Sequence, residues 1–413
     1  MKFHAMQVLA CGLAATMLVA CGSDDKADPT SAEVKAPPSE LTGAPIKVAH
    51  ISDIEAEGVT QADALGGVKA GVESINEHGG IDGHPVELAA VCNGERNPNA
   101  ARACIRKAID DGVVAFVGNM SSADDGFIPL IDEAKVPSIG AIPLSPVTGG
   151  SSASFCFNGG LAAAVVGLAG ALEQAGATKI SFIYPGNVGS ASAGMKEAYG
   201  FGVESSGIDD AGAVPFNLGE TQFDAVVAKA AADGVDGIAL LSPGEPEAAL
   251  IQAVKQYAPD VAIATPNSLL TPSVLDALGS TANDVLAVAI TQPSTAGDAV
   301  PGIVDFNEAM DAHDPDGQIA RNDLAINGWA SVWALQKIAT GLPEITRESV
   351  LAAMEGVDSL DLGGIYPPLS APDREGNPPG LGCAMAIGNV SVKVKDGQTY
   401  AVEPGQFLEP FAG

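Results

Sequence analysis

Aromatic residues and positive charge are both scarce in this chain. Only 5% of its 413 residues are Phe, Trp or Tyr, so the apolar 46% must build its core mainly from Ala, Val, Leu and Ile. Lys and Arg number 20 against 51 Asp and Glu, a formal net charge of -31. Such a surface repels phosphates and argues against nucleic acid as a partner. Histidine is limited to His4, His50, His78, His84 and His313, none of which makes a His-Glu-x-x-His motif or neighbours a Gly-x-Ser-x-Gly turn. The absence of Cys-x-x-Cys removes zinc knuckles and thioredoxin-type sites. Without a Gly-x-Gly-x-x-Gly or Walker-type loop, no cofactor is expected. "DAHDPDGQIARND" approaches a calcium loop through Asp314, Asp316, Gly317 and Asp323. Its first position is Ala312 and its last ligand is Asp instead of Glu, so no metal site is expected either.

Long apolar runs are missing too. The longest N-terminal one, "MQVLACGLAATMLVA", follows Lys2 and is too short for a comfortable membrane span, so it reads as a cleaved signal. It ends in "LVAC" (Leu18 to Cys21) before Gly22, which resembles the lipobox of bacterial lipoproteins. The resemblance implies that residues 1–21 are a lipoprotein signal and that Cys21 carries the lipid. An ordinary secretory signal with an incidental Cys21 is the alternative. Residues 22–45 lack apolar periodicity and are rich in Pro, Ser and Asp, as expected of a disordered tether. As a flexible coil it would hold the domain roughly 25–30 Å from the bilayer. The expected location is the extracytoplasmic face of a membrane.

Apart from Cys11 in the signal and Cys21, four cysteines remain: Cys92, Cys104, Cys156 and Cys383. In an exported chain they suggest disulfides, with three ways to pair. Cys92 ends a strand pattern and Cys104 lies one to two turns into the next helix, so these two can meet across a short loop. Cys156–Cys383 follows by elimination.

From Ile46 onward, strand-like and helix-like stretches alternate. "IKVAHI" is rich in β-formers, and residues 63–77 carry Leu65, Val68, Val72 and Ile75 at helical spacing. "VELAAVC" follows as a strand, then a helix opened by Asn97-Pro98, then "VVAFVG". Such alternation implies parallel sheets flanked by helices. The glycine pair in "SINEHGGIDGHPVEL" falls after a helix, whereas phosphate-binding glycines lie between a strand and a helix start. It reads as a helix stop and turn. "KAIDDGV" at 107–113 and "KAAADGV" at 229–235 echo one another. The echo is either good capping chemistry twice over or the mark of two lobes with similar topology.

"INEHGGIDGHPVEL", "NPNAARACIRKAIDDGV", "AFVGNMSSAD" and "AKVPSIGAIPLSPVT", in this order, resemble the first lobe of type I periplasmic binding proteins of the leucine/isoleucine/valine-binding kind. "ISFIYPGNVGSASAG", "VDGIALLSPGEPEAALIQAV" and "NGWASVWALQKI" extend the likeness more loosely. The resemblance implies an α/β fold of two Rossmann-like lobes, with parallel sheets joined by three hinge strands. Crossings are expected near Asn158, Pro293 and Gly364, giving one lobe from residues 46–158 and 294–363 and another from 159–293 and 364–413.

Ligand groups are expected where strands end and helices begin, because exposed N–H groups collect there. Ser121 and Ser122 in "MSSADD" fit that position, although either could merely cap the helix begun by Asp124. The resemblance adds the loop Ala141 to Ser145, with Pro143, and the stretch Glu57 to Gln61, with Thr60. From the other lobe it implies Asn187, Val188, Glu245 and Asn267. Trp329, near a helix start, is expected at the cleft, and Trp333 in the core. Amino-acid binders carry an acidic residue where this chain has Asn267, which disfavours a plain aliphatic amino acid unless Glu57 or Glu245 substitutes.

By that resemblance the chain is a monomeric, non-enzymatic solute-binding protein. It would deliver a small polar or amphipathic ligand (an amino acid, amide or small organic acid) to an ABC importer permease, with a lipid anchor in the membrane. A ligand-sensing module of the same fold is the first alternative. An α/β hydrolase is the second, for which no nucleophile with its base stands out. Replacing Cys21 by Ala should release unlipidated protein from the membrane fraction; unchanged detergent dependence would refute the lipobox reading.

Overall fold

The alternating pattern builds two sheets. The computed structural model describes residues 41–54, 60–94, 97–188, 190–242, 246–377 and 381–408. Cys11, Cys21, Glu57 and Glu245 lie outside the described residues.

The first lobe begins with β1 (Ile46–Ser52), α1 (Ala62–Glu77), β2 (Val86–Asn93), α2 (Pro98–Asp110), β3 (Ala115–Val117), α3 (Asp124–Ala134), β4 (Ser138–Ile139), α4 (Pro146–Gly149) and β5 (Ser154–Phe155). Its sheet runs β2-β1-β3-β4-β5, parallel throughout. The second lobe follows with α5 (Gly160–Gln174), β6 (Lys179–Pro185), α6 (Ser190–Ser206), β7 (Asp209–Phe216), α7 (Asp224–Ala230) and β8 (Gly237–Leu240). It continues through α8 (Pro246–Tyr257), β9 (Ala262–Pro266), α9 (Pro272–Leu278) and β10 (Leu286–Ala289). Then α10 (Pro301–His313), α11 (Asp323–Ala339) and α12 (Arg347–Glu355) return to the first lobe, and β11 (Val390–Lys395) and β12 (Gln398–Ala401) end in the second. That sheet runs β12-β11-β10-β9-β8-β6-β7, with β11 antiparallel to both β10 and β12.

Local chemistry sets the boundaries. Asn97 caps α2 by accepting from the Asn99 and Ala100 N–H groups, with Pro98 at the first helical position. After α1, Gly79 and Gly80 adopt φ of 98° and 70°. A Cβ on Gly80 would lie 2.2 Å from the His84 carbonyl oxygen, so the pair turns the chain into β2. The two echoing segments both make the same helix-to-strand step, α2 to β3 and α7 to β8. Helices α1 and α11 meet closely because a Cβ on Gly67 would sit 1.9 Å from the Ala325 carbonyl oxygen.

The chain crosses between sheets at residues 156–159, at 290–293, and a third time later than expected. Gly364 marks no crossing. Ile365, Tyr366, Leu369 and Met385 are all buried in the same core as Val68, Phe306 and Ile326 of the first lobe. Gly363 instead turns the chain against α10, its carbonyl accepting from Gly302 N at 2.9 Å. The apolar side chains that follow are drawn into the first core, and the crossing comes between Met385 and Val390. There the segment runs beside the first crossing, with Cys156 N donating to Cys383 O at 2.8 Å and Met385 N to Cys156 O at 2.7 Å.

Disulfides join Cys92 to Cys104 and Cys156 to Cys383. The second ties the first and third crossings together. The bridges span sequence separations of 12 and 227 residues. In the chain-entropy model closing these loops is worth roughly 3 and roughly 5 kcal/mol respectively. Paired Cys→Ala replacement at Cys156 and Cys383 should therefore lower stability more than replacement at Cys92 and Cys104. Urea unfolding of the two double variants is the test, and equal or reversed losses would contradict it.

Candidate functional site

A parallel strand leaves its loop at the carboxyl edge of its sheet, so polar groups placed just after the strands gather there. In the first lobe they gather around Asp53. Its carboxylate accepts from Ser121 Oγ at 2.7 Å, Ser122 N at 3.0 Å and Ser122 Oγ at 2.5 Å, while its own N–H donates to Gln61 Oε1 at 2.9 Å. The exits of β1 and β3 are thereby tied together. Ser121 and Ser122, expected to present free hydroxyls, spend them on this carboxylate. Ser121 Oγ also accepts from Ala123 N at 3.1 Å, so it braces the start of α3 as well.

The exit of β4 is tied in a similar way. Thr148 Oγ1 donates to Asp124 Oδ2 at 2.6 Å, and burial raises the Asp124 carboxyl above the usual range. Ser145 caps α4 by accepting from Val147 N and Thr148 N. Ala141 is buried against the Cys156–Cys383 bridge, and Pro143 is buried where a Cβ on Gly160 would meet its carbonyl oxygen at 2.8 Å. Thr60 is exposed and closes its loop, donating to Ile54 O at 2.6 Å and accepting from Ala62 N at 3.2 Å. In the second lobe Asn187 is exposed, accepting from Leu218 N, and Val188 N donates to Ser192 Oγ.

Trp329 corrects the expectation drawn for it. Nearly two turns beyond the start of α11, it faces the first-lobe core, 4% exposed and edge-on to Phe306. Trp333 is partly buried beside it, with Lys337 Nζ 4.6 Å above its ring. Neither the N-cap nor the apolar spacing of α11 distinguishes these faces, because this helix is buried along most of its length.

The residue that α11 does bring to the seam between the lobes is Asp323, in its first turn. Asn322 caps the helix by accepting from Leu324 N and Ala325 N, which aims Asp323 toward the end of β9. Asn267 Nδ2 donates to Asp323 Oδ1 at 2.8 Å, so the end of β9 in the second lobe is joined to α11 of the first. Thr291 Oγ1 at 3.4 Å and Ile290 N at 3.3 Å, from the second crossing, also donate to it. Leu324 and Met120 of the first lobe pack partly buried against the second-lobe cluster around Phe182, closing the same seam with apolar surface. Burial pushes the Asp323 carboxyl up to about 6, against the donors that lower it. Tyr366, its hydroxyl on Asn327 Oδ1, is in turn raised by burial and by the Asp323 charge. Elsewhere in the second lobe Glu247 is fully buried, accepting from Thr265 Oγ1 at 2.5 Å, and desolvation holds it well above the usual carboxylate range.

Sequence reasoning missed Asp53 and Asp323. The first directly follows β1, where the strand-exit rule applied but was read a few residues too late. The second was weighed only as a calcium position; Asp314 is in fact turned to Ile319 N and shares no partner with it. Among the described residues one Ser–His side-chain pair is in contact: His50 Nε2 lies 2.9 Å from Ser52 Oγ and Nδ1 2.9 Å from Val117 O. Both residues are fully buried within β1, and burial lowers the imidazole to about 4, so the pair is a neutral packing contact without access to a substrate.

Two lobes whose strand exits meet along one seam form the architecture of a protein that closes around a small molecule. The chain belongs to the periplasmic binding protein family, whose model matches residues 45–390, and its two lobes have the type I fold of the leucine/isoleucine/valine-binding kind. Among curated proteins no sequence relative matches. A leucine-binding protein from Thermotoga maritima shares the fold at 20% identity and TM-score 0.66, over 87% of this chain and 98% of that one. A branched-chain amino acid transporter substrate-binding protein from Streptococcus pneumoniae, solved with isoleucine, gives 17%, 0.66, 87% and 99%. A fatty acid ABC transporter substrate-binding protein from Thermomonospora curvata gives 17%, 0.68, 91% and 95%.

The Asp323 carboxyl makes stability pH-dependent with a defined sign. Its value rises from an ordinary 3.8 to about 6, so the folded state prefers the protonated form. That contribution is full below pH 3.8 and is lost as pH climbs through about 6. Asp323→Asn should therefore gain stability relative to the parent chain on going from pH 4 to pH 8, by about 2.4 kcal/mol from linkage. Urea unfolding without ligand at both pH values is the test; a difference that does not change with pH would refute it.

Proposed function

We propose that the chain is the ligand-capturing component of an ABC importer. It is held on the extracytoplasmic face by lipid on Cys21 and works as a monomer. Its ligand is a small polar or amphipathic molecule, taken in the cleft between the lobes, and a permease is the partner of the closed form. Family membership supports the solute-binding role, and among the described residues no helix is long and apolar enough to cross a membrane. The observation that carries the reading is the seam itself. Residues after β9 of one lobe and at the start of α11 of the other reach one another through polar groups flanked by apolar Leu324 and Met120. Groups of these two kinds at the seam suit a ligand with both an apolar body and hydrogen-bonding groups.

A thermal-shift screen over amino acids, amides, aromatic acids and sugars tests the role directly. A ligand at 100 times its Kd adds about 2.7 kcal/mol to the folded state. At least one class should raise the melting temperature in a concentration-dependent way. If no class does, the solute-capture reading is wrong for these ligands, whatever the fold.

A further inference from the structure

The Asn267–Asp323 corner holds a buried carboxylate without a cation and a buried amide oxygen without a donor among the described residues. An ionised carboxylate offers about four lone-pair sites, and an Asn amide oxygen two more. Asp323, 2% exposed, receives one donor at good distance, from Asn267, two long ones, from Thr291 and Ile290, and its own backbone N–H, but no cation. The Asn267 amide gives its Nδ2 to Asp323, which leaves its Oδ1 buried with no partner among the described residues. No Lys, Arg or His pairs with Asp323 among the described residues, the nearby Arg321 being engaged with Asn307 and Asp311. A buried acceptor left without a donor is costly, and a buried carboxylate without a cation more so. Carbonyl and carboxylate oxygens converge here from opposite lobes, so whatever completes the corner must be a donor that meets both lobes at once.

Resting on the cleft reading above, we propose that Asp323 and Asn267 Oδ1 form a subsite for a nitrogen of the ligand, an ammonium or an amide N–H. A ligand carboxylate is excluded from the corner by the Asp323 charge and belongs elsewhere in the cleft. A hydroxyl can supply only one hydrogen and leaves one of the two acceptors unpaired. An ammonium or NH₂ group supplies two or three, enough for Asp323 and Asn267 Oδ1 together. Because the acceptors come from different lobes, the nitrogen bridges them only in the closed arrangement, and the subsite thereby couples recognition to closure.

The test is calorimetry and thermal shift with matched probe pairs: leucine and phenylalanine, their primary amides, and the α-hydroxy acids of the same two skeletons. The parent chain should bind a nitrogen-bearing member at least about tenfold more tightly than its hydroxy counterpart. Asp323→Asn, nearly isosteric and checked for folding by its melting curve, should abolish that preference. Asn267→Ala, which keeps the carboxylate, should bind more weakly yet still prefer nitrogen. Equal affinity for both members, preference for the hydroxy acid, or a preference untouched by Asp323→Asn would overturn the subsite while leaving the cleft in place. A parent chain that binds none of these probes would overturn the subsite; if the wider screen is also silent, the cleft reading fails with it.

Discussion

Everything that distinguishes this molecule depends on where parallel strands let go of the chain. Helical crossovers return each strand in the same direction, so all the loops that follow strands collect on one edge of each sheet. The interior behind that edge is filled mainly by Ala, Val, Ile and Leu, with few aromatics, and it admits polar groups such as His50 and Asn327 where they find partners. Carboxylates such as Asp53, Asp124 and Asp323 sit at the rim, where backbone N–H groups and hydroxyls from neighbouring loops reach them. The rim is built from those mutual satisfactions. Asp53 holds the exits of β1 and β3, Asp124 holds β3 to β4, and Asp323 holds one lobe to the other.

The hinge follows from the same constraint. Three segments must pass from one sheet to the other, and each is short enough to leave buried backbone groups in need of partners. The first and third answer each other, exchanging hydrogen bonds between Cys156 and residues 383 and 385, with a disulfide fixing the pair. The second is served from both sides: Gln292 N donates to Ile365 O, and its side chain reaches the Gln406 carbonyl. Two crossings are thereby locked together, and the other is bonded to each lobe.

The fold was largely legible in the sequence because periodicity and caps are local. Gly79-Gly80, Asn97-Pro98 and the alternation from Ile46 each act within a few residues, and each marks the boundary its chemistry implies. The third crossing was not legible, since Gly363-Gly364 carries the composition of a hinge yet only turns the chain. The side chains of Ile365, Tyr366 and Leu369 decide between the cores, and no local pattern says which core they enter. The site was harder still. Strand exits could be named, and Asn267 does lie at the seam, but hydroxyls cannot be told from their partners without the fold. Ser122 looked like a donor to a ligand because Asp53, 69 positions away, is invisible as its acceptor until β1 and β3 lie side by side.

The acidity of the chain and the acidity of the seam are separate matters with a common consequence. The net charge of -31 lies mostly on solvated carboxylates and is screened within about 10 Å at ordinary ionic strength. Asp323 is not screened, because water is excluded from it when the lobes meet. An empty closed form must therefore either protonate this group or bear the cost of a buried carboxylate without a cation, and at neutral pH that cost favours opening. A nitrogen donor removes it only where both lobes contribute, so its binding energy differs between the open and closed arrangements. A ligand shifts a conformational equilibrium only by such a difference. On this account the absence of an acid at position 267 is no loss of charge recognition, because the charge comes from α11 of the opposite lobe. Placing it there makes closure itself the step at which a nitrogen is read.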